Sequence, residues 1–293
     1  MSLSKALPKD PEWLYQHQIA DRYLDDFANA FTHTIEDLQN AAKVEVIEEA
    51  LARGRPTLLI NFISMQENME DSLSAHWTPV LNKILDKTGA EVLQRLGADT
   101  LFTIRNPYAE GWAIAHAGEL VKEVTEETRL AIARSVQYGM ALGRPPEVLA
   151  RRMRKWIGLT SRQELAVMRY WDSLVGEDMK SLAQADKLAG AYTKRLLKQR
   201  ALNIARTETI NASVKGTQVS WQHARDYGFI APDAVQEWIA ATLSDRTCER
   251  CMAFDGVQAP IGGVFVSRDG ETSSGPTLHP SCRCAVGLVT PTD

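Results

Sequence analysis

Cysteine is missing from everything before residue 248 of this 293-residue chain, and all four thiols fall in two short pieces near the end, SDRTCERCMAFDG and LHPSCRC. That scarcity argues against a disulfide framework and suits folding in a reducing cytoplasm, where paired cysteines more often hold a metal. Long apolar runs are missing too, and none approaches the roughly 18–20 residues of a membrane span. The opening MSLSKALPKDPEWLYQ has no apolar stretch behind its lysine and does not read as a secretory signal. There is no internal repeat and no low-complexity tract. The chain also lacks HExxH, a Walker loop, GxGxxG and GxSxG. A zinc deaminase needs H-x-E ahead of P-C-x-x-C; here Thr247 precedes Cys248 and no H-x-E occurs. The sequence therefore reads as a non-enzyme.

What is present is an ordinary soluble composition, 44% apolar and 24% charged, at a length suiting two domains or one with an extension. The net charge of −4 conceals an uneven distribution. Residues 1–50 are acidic. Residues 144–169 carry Arg144, Arg151, Arg152, Arg154, Lys155, Arg162 and Arg169 against Glu147 and Glu164, and residues 193–228 are again basic. Such asymmetry points to a polyanionic or acidic partner for the middle of the chain, against the plainer reading of solvated helix faces.

Apolar residues at steps of three and four (Ile19, Tyr23, Phe27, Phe31, Ile35, Leu38) predict an amphipathic helix from about Pro11 to Leu51. A second helical block runs through LSAHWTPVLNKILDKTGAEVLQRL, interrupted or kinked near Pro79, and Asn106-Pro107 reads as a connector. Further helices are expected over TEETRLAIARSVQYGMAL, over PPEVLARRMRKW, from Ser161 with Glu164 at capping-box spacing, and from about 178 to 227. Beyond Gly228 the texture turns to short strands and tight turns, among them Asp255-Gly256. The expected fold is mainly α, an elongated helical body plus a small α+β C-terminal module built on a zinc-stapled β-hairpin. The expected segments are an N-terminal helical extension (1–109), a helical body with basic faces (110–230) and a β-rich knuckle module (231–293). A module that small gains from a staple.

Cys248-x-x-Cys251 has the spacing at which one tight turn aims two thiolates at one ion, and His279, Cys282 and Cys284 form a return arm. Five donors thus compete for the four positions of tetrahedral Zn²⁺. A thiolate-rich set favours a structural ion over a catalytic one. A different signal lies in ALNIARTETINASVKG: Ala201, Ala205, Ala212 and Gly216 make a small-residue stripe with Glu208 on it. An acid on a packing face needs a cation, and Arg246 or Arg283 is the expected partner.

The ordered set ARTETINASVKG, SDRTCERCMAFDG and HPSCRC resembles the phage head-morphogenesis family, the Mu F-like minor head proteins, over about residues 110–290. The resemblance maps Arg206, Thr207 and Glu208 onto an RTE motif, and Asp245, Arg246 and Thr247 onto the lead into the knuckle. It maps Asp255 and Gly256 onto the turn, and Cys248, Cys251, His279, Cys282 and Cys284 onto the metal set. It implies a minor capsid protein of a tailed phage, made in the host cytoplasm and located in the virion head near the portal. Such a protein would act in assembly and in DNA packaging or ejection, with the portal protein as partner and scaffold or major capsid protein as further candidates; no membrane is implied. Beside packaged DNA, Arg151, Arg152, Arg154, Lys155, Lys194, Arg195, Lys198 and Arg200 become candidate contacts to the phosphates of non-specific double-stranded DNA. Trp156, Trp171 and Trp221 read as core anchors rather than base-stacking platforms. The alternatives are a metal-dependent nuclease or other hydrolase using Asp245, Asp255 and His279, and a free-standing DNA-binding zinc module.

Overall fold

Proline and small polar residues set the helix starts. The computed structural model describes residues 11–53, 65–98, 106–141, 146–241 and 247–290. Helix α1 spans Pro11–Arg22, α2 Leu24–Ala41 and α3 Val44–Ala52, so the single predicted amphipathic run is broken twice. Next come α4 (Met65–Arg95, with Pro79 inside it), α5 (Pro107–Ala141), α6 (Pro146–Trp156), α7 (Ser161–Gly176) and α8 (Leu182–Asp226). Asn106-Pro107 is a helix start rather than a turn. Asn106 Oδ1 accepts from the N–H groups of Tyr108 (3.1 Å) and Ala109 (3.3 Å), and Pro107 takes the first helical position. The capping box of α7 sits one residue before the expected one. Thr160 Oγ1 accepts from Gln163 N while Gln163 Oε1 accepts from Thr160 N, which leaves Glu164 to be buried inside the helix.

The C-terminal part holds β1 (Val235–Ile239), the single turn α9 (Glu249–Met252), β2 (Gln258–Pro260), β3 (Phe265–Val266), β4 (Thr272–Ser273) and β5 (Ala285–Val289). A three-stranded antiparallel sheet runs in the order β2-β1-β5, with Val235 opposite both Pro260 and Val289 and Trp238 opposite Val286. Strands β3 and β4 form a separate hairpin. The chain is thus mainly helical with a small antiparallel C-terminal module. No helix among the described residues is long and apolar enough to cross a membrane.

Two compact units result, and they do not follow the three consecutive segments that composition marks. The first comprises residues 1–27, 79–114 and 203–293; the second comprises 28–78 and 115–202. In the second unit Phe31 packs against Trp77 (ring centroids 5.8 Å apart), and Trp156 and Trp171 are buried, as expected of core anchors. Gly158 turns left-handed (φ 93°) just past α6, and a Cβ there would fall 2.7 Å from Ile35. The buried Arg200 donates to Gly158 O and pairs with Glu127.

In the first unit the β module has no core of its own. Trp238, Phe254 and Phe265 belong to the same buried cluster as Ala20 of α1, Val92 and Leu93 of α4, and Ile210, Val214 and Trp221 of α8. The small-residue stripe serves this packing: Gly216 lies so close to α4 that a Cβ would meet Thr88 Cβ at 2.9 Å. A buried amide pair ties α8 to the sheet, where Gln218 Nε2 donates to Gln236 Oε1 (2.9 Å) and Gln236 Nε2 to the carbonyls of Pro260 and Gly263.

Candidate metal centre

Cys248 caps the N-terminus of α9, its Sγ accepting from Cys251 N at 3.4 Å, so the C-x-x-C spacing becomes one helical turn with both sulfurs on the same side. The return arm brings His279 Nε2 to 3.3 Å from Cys248 Sγ and 3.2 Å from Cys251 Sγ, and Cys282 Sγ to 3.8 Å from Cys251 Sγ. Cys284 joins Cys251 and Cys282 in a second, wholly buried trio. All five predicted donors therefore converge, with Cys251 common to both trios, and the cluster can hold a metal ion. No disulfide forms among them.

The donor set fits a tetrahedral ion. With metal–sulfur bonds of about 2.3 Å, two sulfurs on one tetrahedral ion lie about 3.8 Å apart, which is the Cys251–Cys282 separation. His279 Nδ1 lies 3.0 Å from Pro280 O; with the ring proton there, the Nε2 lone pair faces the thiols. Electrostatics point the same way. Hydrogen bonds from Cys251 and Cys284 hold the Cys282 thiol far below its usual range, while the bond that Cys251 makes to Cys282 pushes Cys251 well above its own. Buried sulfurs this close cannot all be thiolates unless a cation balances them.

Three elements far apart in sequence hold the cluster. Thr207, on α8, accepts from the Ser281 N–H at 2.9 Å and so pins a residue in the left-handed region (φ 62°) between His279 and Cys282. Arg250, between the knuckle cysteines, forks onto Glu271 (2.8 and 2.9 Å) and donates to Leu278 O, linking the two arms. From α1, Gln16 spans the backbone of Val286, donating to its carbonyl (2.7 Å) and accepting from its N–H (3.2 Å). Trp13 Nε1 donates to Arg283 O at 2.7 Å, with His17 Nε2 3.1 Å from the same oxygen. Helix α1 thereby closes the edge of β5 that β1 leaves open. Sequence reading missed this contact. The one available signal was two polar residues, Gln16 and His17, on a helix face otherwise apolar.

The other motif residues are distributed as follows. Glu208 is buried, so it does not sit on an exposed rim. Arg246, one of its two expected partners, and Asp245 lie outside the described residues. Arg206 is exposed, and its charge opposes the rise that burial gives Asp21. Asp255 Oδ1 accepts from Ala240 N (2.9 Å), and Gly256, at φ 71°, donates to Trp238 O, so the pair shapes the turn back to β1. Of the eight candidate phosphate contacts, three are buried or half-buried by partners inside the second unit. Arg200 is buried against Glu127 and Gly158, Arg152 stacks 3.6 Å over Trp171 and pairs with Asp186, and Arg154 donates to Gln39 O. Burial of that kind removes Arg200 from any phosphate. Arg151, Lys155, Lys194, Arg195 and Lys198 are exposed. Comparison with known families, with curated proteins and with solved structures finds no match for this chain.

Proposed function

We propose that this chain is a structural and interaction protein, a minor head protein of a tailed phage associated with the portal, and that the ion in its Cys/His cluster is Zn²⁺. The observation that carries the reading is the bond between Thr207 and Ser281. Two segments that make up the family resemblance, ARTET and HPSCRC, are 74 positions apart in the chain yet join at one cluster. The cysteine knuckle completes it, so the resemblance rests on a single assembled feature rather than on scattered short matches. Zinc is favoured because the donors are thiolates and an imidazole at tetrahedral spacing. Its contribution is to cross-link α9 to the return arm, and Thr207 and Gln16 tie that cross-link to α8 and α1. The nuclease reading draws no specific support from Asp255, whose Oδ1 accepts from Ala240 N in shaping the turn.

Metal analysis of the purified full chain, and co-purification with a portal ring, test the two halves of the reading. About one zinc per chain and a stable portal complex are expected. Absence of zinc from a folded protein with four titratable thiols would overturn the staple, and failure to join any portal or procapsid in cells assembling heads would overturn the head assignment.

A further inference from the structure

In the second unit, α6 and the first turns of α8 leave a cleft of about 300 Å³ between them. Arg151, Arg152 and Lys155 line it from α6, Trp171 from α7, and Asp186 and Gly190 from α8. The size is at the lower end for a small-molecule site.

The charges divide into a neutralised floor and an exposed cationic wall. Asp186 Oδ1 accepts from Trp171 Nε1 at 2.8 Å and lies 3.1 Å from Arg152, whose guanidinium covers the Trp171 ring. Asp186, the one acid lining the cleft among the described residues, is therefore already balanced. Arg151 and Lys155 remain, four residues apart on the exposed face of α6. Lys155 makes no ion pair among the described residues. Among the described residues Arg151 pairs with Glu147 alone, at 3.6 Å, exposed on both sides and therefore weak. On the opposite wall Lys187 and Lys194 flank Gly190 at helical spacing, both exposed. Gly190 itself presents no side chain, and a Cβ there would meet nothing within 4 Å.

We propose that this cleft seats a phosphate group. Lys155, Arg151 in no more than a weak surface pair, and two exposed lysines on the rim suit an anion of more than one charge. The phosphate comes either from a nucleic-acid backbone or from a free polyphosphate. The site stands on its own geometry and does not depend on the zinc or portal assignments.

The test is equilibrium binding of the full chain to a short labelled duplex, with inorganic tripolyphosphate as competitor. Two variants probe the site: Arg151→Gln/Lys155→Gln removes the two exposed lining cations, and Gly190→Leu fills the cleft at unchanged charge. Lys43→Gln/Lys83→Gln, an equal loss of charge outside the lining, is the control. Thermal melts confirm folding of all three. The cation double variant should weaken duplex binding at least about fivefold at about 50 mM salt and flatten the slope of log K against log salt by about 1.8, roughly 0.9 per lost phosphate contact. Gly190→Leu should also weaken binding, and the control should do neither. Competition by tripolyphosphate with the same variant dependence identifies a seat open to free polyphosphate; duplex binding that tripolyphosphate does not displace identifies the backbone. Equal loss in the control, unaffected binding in Gly190→Leu, or no binding of either probe would overturn the proposal.

Discussion

Substitution of Gln16 by leucine tests whether α1 is a true part of the C-terminal module. The Gln16 side chain is fully buried and serves both backbone groups of Val286, itself without solvent exposure. Leucine keeps most of the volume but supplies neither donor nor acceptor. Val286 N–H and C=O are then stranded, and at about 1–3 kcal/mol for each unsatisfied buried group the loss should be about 2–6 kcal/mol. That is several times the effect of an exposed pair, so Glu49→Gln, which breaks the surface i,i+4 contact to Arg53, should cost less than about 0.5 kcal/mol. The assay is urea denaturation followed by tryptophan fluorescence, with amide hydrogen exchange at Val286 as the local readout. A protected Val286 amide in the wild type should exchange much faster in the variant. A loss below about 1 kcal/mol with unchanged exchange would refute the reasoning, because it would mean that water or a shifted strand already serves those groups.

Three further perturbations have defined outcomes. Gly158→Ala forces a Cβ against Ile35 in a left-handed backbone and should destabilise the second unit by about 2–4 kcal/mol in thermal melts. Gly216→Ala, which crowds Thr88, should lower the melting temperature despite its better helix propensity, and Thr88→Ala in the same chain should restore it, since the buried Thr88 hydroxyl has no hydrogen-bond partner among the described residues to lose. In the second unit, hydrogen bonds from His76 and Ser72 hold the Asp37 carboxyl below its ordinary range. A depressed carboxylate contributes stability above its unfolded pKa of about 3.9 and loses it as pH falls through the lower folded value. Asp37→Asn should therefore lower the denaturation midpoint near neutral pH, and the difference should shrink as pH falls below about 3.9 and on through the lower folded value.

The cysteine knuckle and the helical body were legible in the sequence because both are local patterns. A C-x-x-C spacing closes one turn wherever it lies, and a 3.6-residue apolar repeat marks a helix without reference to its neighbours. Helix ends were less legible. The start of α7 was placed within a residue, at Ser161 instead of Thr160, but α5 begins at Pro107, where the sequence suggested a connector, and the run from Pro11 to Leu51 is broken into three helices. The sequence by itself also determined that any thiolate metal site must lie within residues 248–284, since no other thiols exist. Three things were decided only by tertiary structure. The module has no separate core: its tryptophan and phenylalanines complete a cluster begun by α1, α4 and α8, and burial against distant helices leaves no mark on the spacing of either partner. Thr207 and Gln16 support the centre through backbone groups, which every residue carries, so nothing in the return arm announces them. And of eight basic residues alike on paper, the fold buries Arg200 and sets Arg152 against Trp171 and Asp186, while Arg151 and Lys155 stay in water. Charge is written in the sequence; which charges are already balanced depends on what packs beside them.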